Sequence, residues 1–321
     1  MPVPRVSVII INWNHRDCIT DCLDSLLDQG FSDLEIIVVD NASTDGSVEW
    51  IQQNYSHVKL ISFPENRGFA HAFNYAVRMS LGTHILSLNP DVSVRPGFLE
   101  AMLSAISSHD QIGMAAPKLL QALDTTHLDS TGLFISRTRR TYDRGQGSLD
   151  SGQFDSQTEV FGACGAAAFY RRTMLDDLKI GEQFFDEDFF AYYEDADLAW
   201  RAQLMGWRCV YVPSAVGLHI RCYGDTLTKR RKKNHYGPRF ALRNRYLMIF
   251  KNDDPLGFLY DLPFILFSEI PRLVFLVFVS PRSLLGIIEF VRLIPSAWKK
   301  RQNIRSVRRT QTADLRRWFY I

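Results

Sequence analysis

The amino-acid sequence predicts an α/β fold with a doubly wound, mostly parallel sheet. In the N-terminal part of the chain, short apolar runs alternate with segments of helical spacing, a pattern typical of parallel strands joined by crossover helices. The apolar runs are continuous and rich in β-branched residues, as expected of strands covered on both faces. The chain has 321 residues, of which 46% are hydrophobic, so it can bury one large core or two smaller ones.

The predicted elements follow one another in a regular order. We expect strands over residues 6–11, 35–39, 58–62 and 84–88, and helices over residues 18–27, 47–53 and 70–79. Residues 121–159 are rich in Gly, Ser, Thr, Asp and Arg, which predicts long loops or a weak hairpin, with a mobile acceptor loop as one reading. The small, apolar segment 161–170 (FGACGAAAFY) fits a close approach of backbone or ligand, and equally a plain core strand.

Charge is distributed unevenly along the chain. Residues 1–220 carry 16 Lys+Arg and 28 Asp+Glu, whereas residues 221–321 carry 21 and 7. The acidic part suits a divalent metal, and the basic, apolar tail suits an anionic surface, either membrane or nucleic acid. Five cysteines without a metal-type spacing indicate a reducing compartment, and the direct entry into a strand predicts no signal peptide.

Polar residues follow the predicted strands at the edge where open α/β sheets bind ligands. Asp40, in VVDNASTDGS, could accept hydrogen bonds from a base or ribose, although an ordinary strand-to-helix turn explains the same pattern. Gly68, in NRGFAHAFN, opens a helix whose N-terminus a phosphate could approach. Asp91, in LNPDV, could hold a hard divalent cation, and His219 is a weaker candidate for a second ligand.

The segment 184–207 places six carboxylates among aromatic side chains. They are Asp186, Glu187, Asp188, Glu194, Asp195 and Asp197. Crowded carboxylates beside apolar rings resist ionisation, which predicts raised pKa values suited to acids and bases. The alternative is a solvated acidic helix start with Arg201 on the outer face. The chain contains neither G-x-G-x-x-G after its first strand nor a P-loop, which speaks against dinucleotide oxidoreductases and P-loop enzymes.

Taken in order, VSVIIINWN, VVDNASTDGS, NRGFAHAFN, LNPDV, FFDEDFFAYYEDADLAWRA and a later His219 resemble glycosyltransferase family 2, particularly its bacterial rhamnosyltransferase-like members. The resemblance covers about residues 6–252. It implies a GT-A fold, an inverting mechanism, a nucleotide-diphosphate sugar donor and a divalent metal, Mg²⁺ or Mn²⁺. It favours dTDP-rhamnose as donor, and a glycan or polyprenyl-linked acceptor in cell-surface polysaccharide synthesis.

The resemblance also implies roles for individual residues. Asp195 would be the general base with Glu194 beside it, and Asp91 would be the metal ligand, with His219 near the metal and diphosphate. The donor would contact residues of the first four motifs, namely Asn12, Asn14, Asp40, Asn66, Gly68 and Asn89. This chain departs from the family at Asn89, where the D-x-D element has its first acid; an amide carbonyl brings less charge to a metal.

Three alternative functions stay open. A nucleotidyltransferase would need a glycine-rich, basic loop after its first strand, and INWNHRD has no glycine. A membrane-bound nucleotide-sugar binding protein could have lost activity through Asn89. A processive synthase is disfavoured because the chain lacks several spanning helices and a Q-x-x-R-W element.

The tail, residues 253–321, is predicted to be a separate helical segment after a catalytic domain of residues 1–252. Its charged residues Asp261, Glu269 and Arg272 fall on one helical face, and Pro263 and Pro271 should break the apolar run. We therefore favour helices lying in the cytoplasmic interface of the plasma membrane over a span. The alternative is that these helices cover the catalytic domain or form a dimer interface, with the basic runs solvated. The basic runs 229–233 and 299–301 would meet anionic headgroups, and nucleic acid is not expected as a partner.

Overall fold

The computed structural model describes residues 4–221 and 236–320. Its strands are β1 Val6–Asn12, β2 Leu34–Asp40, β3 Lys59–Ser62, β4 His84–Leu88, β5 Val92–Val94, β6 Ile112–Gln121, β7 Asp124–Ser130, β8 Leu133–Ser136, β9 Thr141–Asp143, β10 Glu159–Val160, β11 Ala167–Arg171, β12 Arg208–His219 and β13 Phe319–Tyr320. Its α-helices are α1 Arg16–Leu27, α2 Ser47–Asn54, α3 Phe69–Met79, α4 Phe98–Ser107, α5 Arg172–Asp177, α6 Glu194–Leu204, α7 Tyr236–Asn252, α8 Pro255–Val279, α9 Leu285–Val307 and α10 Thr312–Arg316.

The main sheet is mixed, with a parallel N-terminal half as the sequence predicts. Its strand order is β10-β12-β6-β11-β4-β1-β2-β3, with β5 and β7 paired at the side of β12 and β6. Strand β1 pairs in parallel with both β2 and β4. Strand β11 runs antiparallel between β4 and β6. The carboxyl ends of β1, β2 and β4 therefore meet at one edge, where the polar motifs follow.

Alternate side chains of β1 enter two apolar layers on opposite faces of the sheet. Ile9 packs in the layer that contains Phe73 of α3, and Val8 packs in the layer that contains Phe98 of α4. Because helices cover both faces, every residue of β1 is buried. This explains the unbroken apolar run in the sequence and makes the sheet a rigid base for the groups at its edge.

Residues 121–159 are more ordered than the sequence indicates. Strand β7 pairs with β6, and β8 pairs with β9 as a hairpin. Although the segment is mostly polar, it contains three buried side chains that pack into the core, Leu128, Leu133 and Ile135. The prediction of long loops or a weak hairpin understates this structure.

The tail folds back onto the N-terminal part of the chain. Strand β13 pairs with β8, and Trp318 is buried with its indole N–H donating to Gln203 at 3.0 Å. Helix α8 is one continuous helix of 25 residues in spite of Pro263 and Pro271. The expectation that these prolines break it was wrong; each removes one backbone hydrogen bond, while ion pairs anchor the helix along its length.

The charged residues of α8 share one face, and that face is bound to the protein. Asp261 is fully buried and pairs with Arg139 at 2.9 Å and with Arg137 at 2.9 Å. The opposite face is apolar and exposed, with Phe267 at 85% and Phe278 at 81% exposure. By length and composition, α8 is the one helix in the described parts of the chain that could cross a membrane.

Candidate functional site

The first part of the site is a hydrogen-bonded turn at the ends of β1 and β2. Asn12 donates from Nδ2 to Asp40 at 2.8 Å and to the hydroxyl of Ser47 at 2.9 Å. Asp40 also accepts the backbone N–H of Ser43 at 2.9 Å. The Oδ1 atom of Asn12 is buried and has no hydrogen-bond partner in the described ranges. A buried acceptor without a partner is costly, so this atom suits a ligand that brings an N–H or O–H.

Asn14 and Asn66 shape the backbone around this turn. Asn14 has a left-handed backbone, with φ of 58°, and its Oδ1 accepts the N–H of Thr44 at 2.8 Å. Asn66 Oδ1 accepts the N–H of Gly68 at 2.9 Å. In this arrangement the contacts of both side chains are to the protein's own backbone, and any contact with a donor stays a prediction.

Gly68 serves a different purpose from the one that the sequence suggests. Its φ is +85°, and a Cβ atom there would lie 2.6 Å from the ring of Phe190. The carbonyl of Phe190 accepts the N–H of Ala70, in the first turn of α3, at 3.1 Å. The glycine therefore admits Phe190, whose carbonyl occupies one N–H of the first turn of α3; a phosphate contact at this helix N-terminus stays a prediction.

The second part of the site joins Asp91 to His219 on β12. The Nε2 atom of His219 lies 3.4 Å from Asp91, and its Nδ1 lies 2.7 Å from Asp129. Burial alone would lower the pKa of His219, but the hydrogen bonds to Asp129 and Asp91 outweigh it and raise the pKa to about 9. Asp129 is itself buried and bound by Arg221.

This donor set fits a divalent cation that a substrate also coordinates. A carboxylate on Nδ1 fixes the imidazole, as in many metal sites. With a pKa of about 9 the ring is protonated at neutral pH, so a cation would have to displace the proton on Nε2 before this atom could act as ligand. Asp91 supplies a hard oxygen. Residues 4–221 and 236–320 contain no group of three His, Cys, Asp or Glu side chains placed to hold an ion alone, so a cation there would need further ligands from water or a bound molecule. The sequence does not identify Asp129 as a site residue, because Asp129 lies in the polar segment 121–159, for which long loops or a weak hairpin are predicted.

The third part of the site is the pair Glu194 and Asp195 at the start of α6. Asp195 accepts the N–H of Gly165 at 2.8 Å and that of Ala196 at 2.7 Å. Burial raises the pKa of Asp195 to about 6, in opposition to these two hydrogen bonds. Burial and the charge of Asp195 raise the pKa of Glu194 to about 8. At neutral pH, Asp195 is therefore ionised and Glu194 keeps its proton.

A short backbone segment connects this acidic pair to the LNPDV turn. The N–H of Gly165 binds Asp195, and the carbonyl of the next residue, Ala166, accepts the N–H of Asn89 at 2.9 Å. A Cβ atom on Gly165 would stand 3.1 Å from the Asp195 carboxylate. In segment 161–170, the backbone at Gly165 thus lies close to the Asp195 carboxylate. A close backbone approach is one of the two interpretations of this segment's sequence.

The other four carboxylates of the acidic segment are neutralised by the protein. Asp186 pairs with Lys251 and Lys300; burial opposes ionisation, but the two lysines lower its pKa below its usual range. Lys300 also pairs with Asp188 at 2.6 Å. Glu187 binds His71 at 2.8 Å; burial raises its pKa, but hydrogen bonds from Asn74 and His71 lower it overall. The expectation of raised pKa values was wrong for Asp186 and Glu187.

Asp197 is fully buried, and after burial and the charge of Asp195 its own charge also contributes to the raised pKa of Glu194. It binds Arg201 at 3.0 Å, Lys251 at 2.9 Å and Asn252 at 2.8 Å. Arg201 is buried as well, because its other nitrogens donate to the carbonyls of Leu178 and Phe184. The placement of Arg201 on an outer face was wrong. These ion pairs hold α6 against α7.

Asn244 of α7 controls the backbone just before the acidic pair. Phe190, Tyr192 and Tyr193 have φ values of 63°, 73° and 71°, a left-handed region that is unfavourable for aromatic residues. The Nδ2 group of Asn244 donates to the carbonyls of Phe189, Ala191 and Tyr192, each at 2.8 Å. Sequence reasoning missed Asn244, although polar residues 244, 251 and 252 recur on one side of α7.

The chain is similar to several known proteins. The family model described as glycosyl transferase family 2 matches residues 7–179. The protein named N-acetylglucosaminyl-diphospho-decaprenol L-rhamnosyltransferase from Mycobacterium tuberculosis is 28% identical over 216 residues, which cover 59% of this chain and 67% of that protein.

Solved structures share the fold at low sequence identity. The S. aureus TarS fragment 1–349, solved with UDP-GlcNAc, has a TM-score of 0.59 and 16% identity, with 98% of this chain and 93% of that chain covered. The mannosyltransferase PcManGT from Pyrobaculum calidifontis, solved with GDP-Man and Mn²⁺, has a TM-score of 0.54 and 18% identity, covering 95% and 86% of the two chains. Together with the sheet described above, these likenesses show the GT-A fold.

Proposed function

Because the chain belongs to glycosyltransferase family 2, we propose that it transfers a sugar with inversion from a nucleotide-diphosphate donor to a glycan or lipid-linked acceptor in cell-surface polysaccharide synthesis. The observation that carries the proposal is the segment Gly165–Ala166, which hydrogen bonds to Asp195 on one side and to Asn89 on the other. A candidate base and the turn that carries the candidate metal ligand Asp91 are thereby fixed to one short piece of backbone.

Asp195 is the proposed general base. It takes the proton from an acceptor hydroxyl while that oxygen attacks the anomeric carbon and the bond to the diphosphate breaks on the opposite face. A pKa of about 6 keeps the carboxylate ionised at neutral pH yet basic enough to accept a proton. Glu194 stays protonated and, with its Oε2 buried and without a partner in the part of the chain that the structure describes, can donate a hydrogen bond to a substrate oxygen.

Asp91 and His219 would hold the divalent cation, Mg²⁺ or Mn²⁺. When bound, the cation would neutralise charge that develops on the leaving diphosphate. Asp129 fixes the orientation of His219 through Nδ1. Asn89 offers only an amide carbonyl to such a site, so the protein supplies one negative charge there instead of two.

The donor base is proposed to lie against the turn formed by Asn12 and Asp40. The buried Oδ1 of Asn12 suits the imide N–H of a pyrimidine, which favours thymidine or uridine nucleotides. The similarity to a protein named as a rhamnosyltransferase favours dTDP-rhamnose. A competition assay in which UDP-glucose, UDP-galactose or GDP-mannose is used about ten times better, a difference of roughly 1.4 kcal/mol, would contradict this donor.

The tail is proposed to hold the enzyme at the cytoplasmic membrane interface. Helix α8 has its polar face bound to the catalytic part and its apolar face exposed. Crossing the membrane would remove Asp261 from Arg139 and place its charge in lipid, so an interfacial position is favoured over a span. The predicted contact of the basic runs with lipid headgroups is revised for residues 299–301, because Lys300 and Arg301 bind the protein itself. The other run, residues 229–233, lies outside the described residues.

Donor identity and activity are tested together. The full-length protein is heated with a panel of nucleotide sugars, and the true donor should raise the melting temperature at near-cellular concentration. Release of sugar from that donor is then followed with and without EDTA. Stabilisation without any hydrolysis or transfer would favour the alternative of an inactive binding protein, and stabilisation by a nucleoside triphosphate alone would favour a nucleotidyltransferase.

A further inference from the structure

Arginines are concentrated where the β8–β9 hairpin meets helix α8. Six of them surround three carboxylates: Arg137, Arg139, Arg140, Arg245, Arg272 and Arg316 around Asp253, Asp261 and Glu269. The cluster thus has an excess of positive charge. An excess of buried or half-buried cations is unfavourable unless anions or water compensate it, so the cluster suits an anionic ligand.

Arg140 and Arg272 carry most of this excess. Arg140 is half-buried, and its guanidinium makes one long hydrogen bond, 3.4 Å to the carbonyl of Ser268, with no carboxylate partner in the described part of the protein. Arg272 lies 3.4 Å from Glu269, a carboxylate already bound by Arg245 and by Tyr246. Because Ser268 and Arg272 are one turn apart on α8, the contact to Ser268 brings Arg140 to the same stretch of the helix as Arg272.

The position of Arg140 relates the cluster to the catalytic groups. Arg140 directly precedes β9, and Asp143 ends that strand, about 10 Å further at ~3.3 Å per residue. Asp143 pairs with Arg221 at 3.3 Å, and Arg221 in turn binds Asp129, the partner of His219. A separation of about 10 Å is roughly the length of one sugar with its attached phosphates.

The cluster also borders the exposed apolar face of α8. Phe267 precedes Ser268 and is 85% exposed, and Ile270 is 57% exposed. A ligand seated on the two arginines would therefore have hydrocarbon on one side and the acceptor hydroxyl site on the other. That arrangement matches a sugar linked through phosphates to a lipid chain.

We propose that Arg140 and Arg272 bind the diphosphate of a prenyl-diphosphate-linked acceptor. The proposal rests on the proposed function and names its acceptor class. Arginine suits this role because its planar fork can donate two hydrogen bonds to phosphate oxygens. The phosphate of an anionic phospholipid has the same chemistry, so the experiment separates these two sources.

The test measures binding of farnesyl diphosphate to the full-length protein in detergent, without any donor. Arg140→Gln/Arg272→Gln should raise the dissociation constant about tenfold or more, with little change for farnesol. Arg140→Lys/Arg272→Lys should fall between wild type and the glutamine variant, since charge is kept but the fork is lost. The matched control is Arg5→Gln/Arg78→Gln, two exposed arginines, which should bind as wild type does.

Several outcomes would overturn the proposal. One is wild-type affinity for farnesyl diphosphate in the glutamine variant. Another is a variant that loses adsorption to phosphatidylglycerol vesicles and keeps its affinity for farnesyl diphosphate, since the arginines would then serve a phospholipid headgroup. Binding is measured without turnover, so the two proposals can fail separately. If farnesyl diphosphate binding depends on the arginines but the protein transfers no sugar, the proposed function is contradicted and the binding site is supported.

Discussion

Asn244 donates a hydrogen bond of 2.8 Å to the carbonyl of Tyr192, two residues before Glu194. The same amide group reaches the carbonyls of Phe189 and Ala191, so two N–H groups are shared among three acceptors. The left-handed backbone of Phe190, Tyr192 and Tyr193 costs energy that these bonds offset. Asn244 lies on α7, outside residues 7–179 that the family model matches. This helix thus fixes the backbone that positions Glu194 and Asp195.

The first prediction concerns Asn244→Asp. The substitution keeps the shape but removes both donors and sets a charge against three carbonyl oxygens. We expect kcat to fall about tenfold or more, which corresponds to ~1.4 kcal/mol, with the donor KM nearly unchanged. The matched control is Asn303→Asp, at an exposed position of α9. A lost structure with a normal kcat per folded molecule would show that Asn244 is needed only for stability.

Asp195→Asn tests the base. The amide oxygen can keep one of the two backbone hydrogen bonds, from Gly165 or from Ala196, but the amide cannot accept a proton, so turnover should fall by ~10²–10⁴-fold while donor binding persists. In the wild type, turnover should rise as pH increases through about 6, the pKa of Asp195, because only the ionised form is active. Asp110→Asn, at an exposed position, is the control. A variant that keeps more than about a tenth of wild-type turnover, well short of that range, would exclude Asp195 as the base.

Glu194→Gln should stabilise the protein, and more so at high pH. The pKa of Glu194 is raised from 4.5 to about 8 by burial and by the charge of Asp195. Between these two values, the folded state holds a proton that the unfolded state has released, so stability declines as pH rises through this window. Glutamine removes the decline. Thermal unfolding of both proteins at pH 5 and pH 8 checks this, and an equal difference at the two pH values would contradict it.

The sequence predicts some parts of this site and not others, for physical reasons. Local apolar runs predict strands β2 and β4, and tertiary contacts do not change them. The positions of Asp40, at the end of β2, and Asp91, in the turn after β4, could therefore be predicted. The pairing of Asp186 with Lys251 and Lys300 depends on α7 and the tail packing against the acidic segment, and no local pattern encodes that. Likewise, the close contact between Gly68 and Phe190 joins segments far apart in the chain. The local sequence around Gly68 therefore predicts a phosphate approach but does not encode this contact.

Asp91→Ala should raise the concentration of Mn²⁺ and Mg²⁺ needed for half-maximal activity and should also lower turnover. The lost carboxylate lies beside His219 and is the hard oxygen ligand that we propose for the cation. Conversely, Asn89→Asp should tighten metal binding if Asn89 is a ligand, since it adds a charge to the site. EDTA should abolish wild-type activity, and added Mn²⁺ should restore it. An unchanged metal titration in the Asp91 variant, with Asp110→Ala as control, would remove Asp91 from the metal site.

The last prediction tests the membrane interface with two substitutions on the exposed face of α8. Phe267→Gln/Phe278→Gln removes two aromatic side chains that are more than four-fifths exposed. Burying each in lipid is worth ~1.5–3 kcal/mol, so partitioning into vesicles should fall at least about 100-fold.

Point substitutions are preferable to truncation, because the tail supplies Lys300 to Asp186 and Trp318 to the core. In flotation with liposomes, wild type and the control Met79→Gln/Leu81→Gln, at exposed positions away from the tail, should rise with the vesicles, and the α8 variant should not. High salt should weaken but not abolish the association, since the apolar contribution is insensitive to screening. A wild-type protein that remains soluble without detergent and ignores the vesicles would contradict both the interfacial position and, with it, the lipid-linked acceptor.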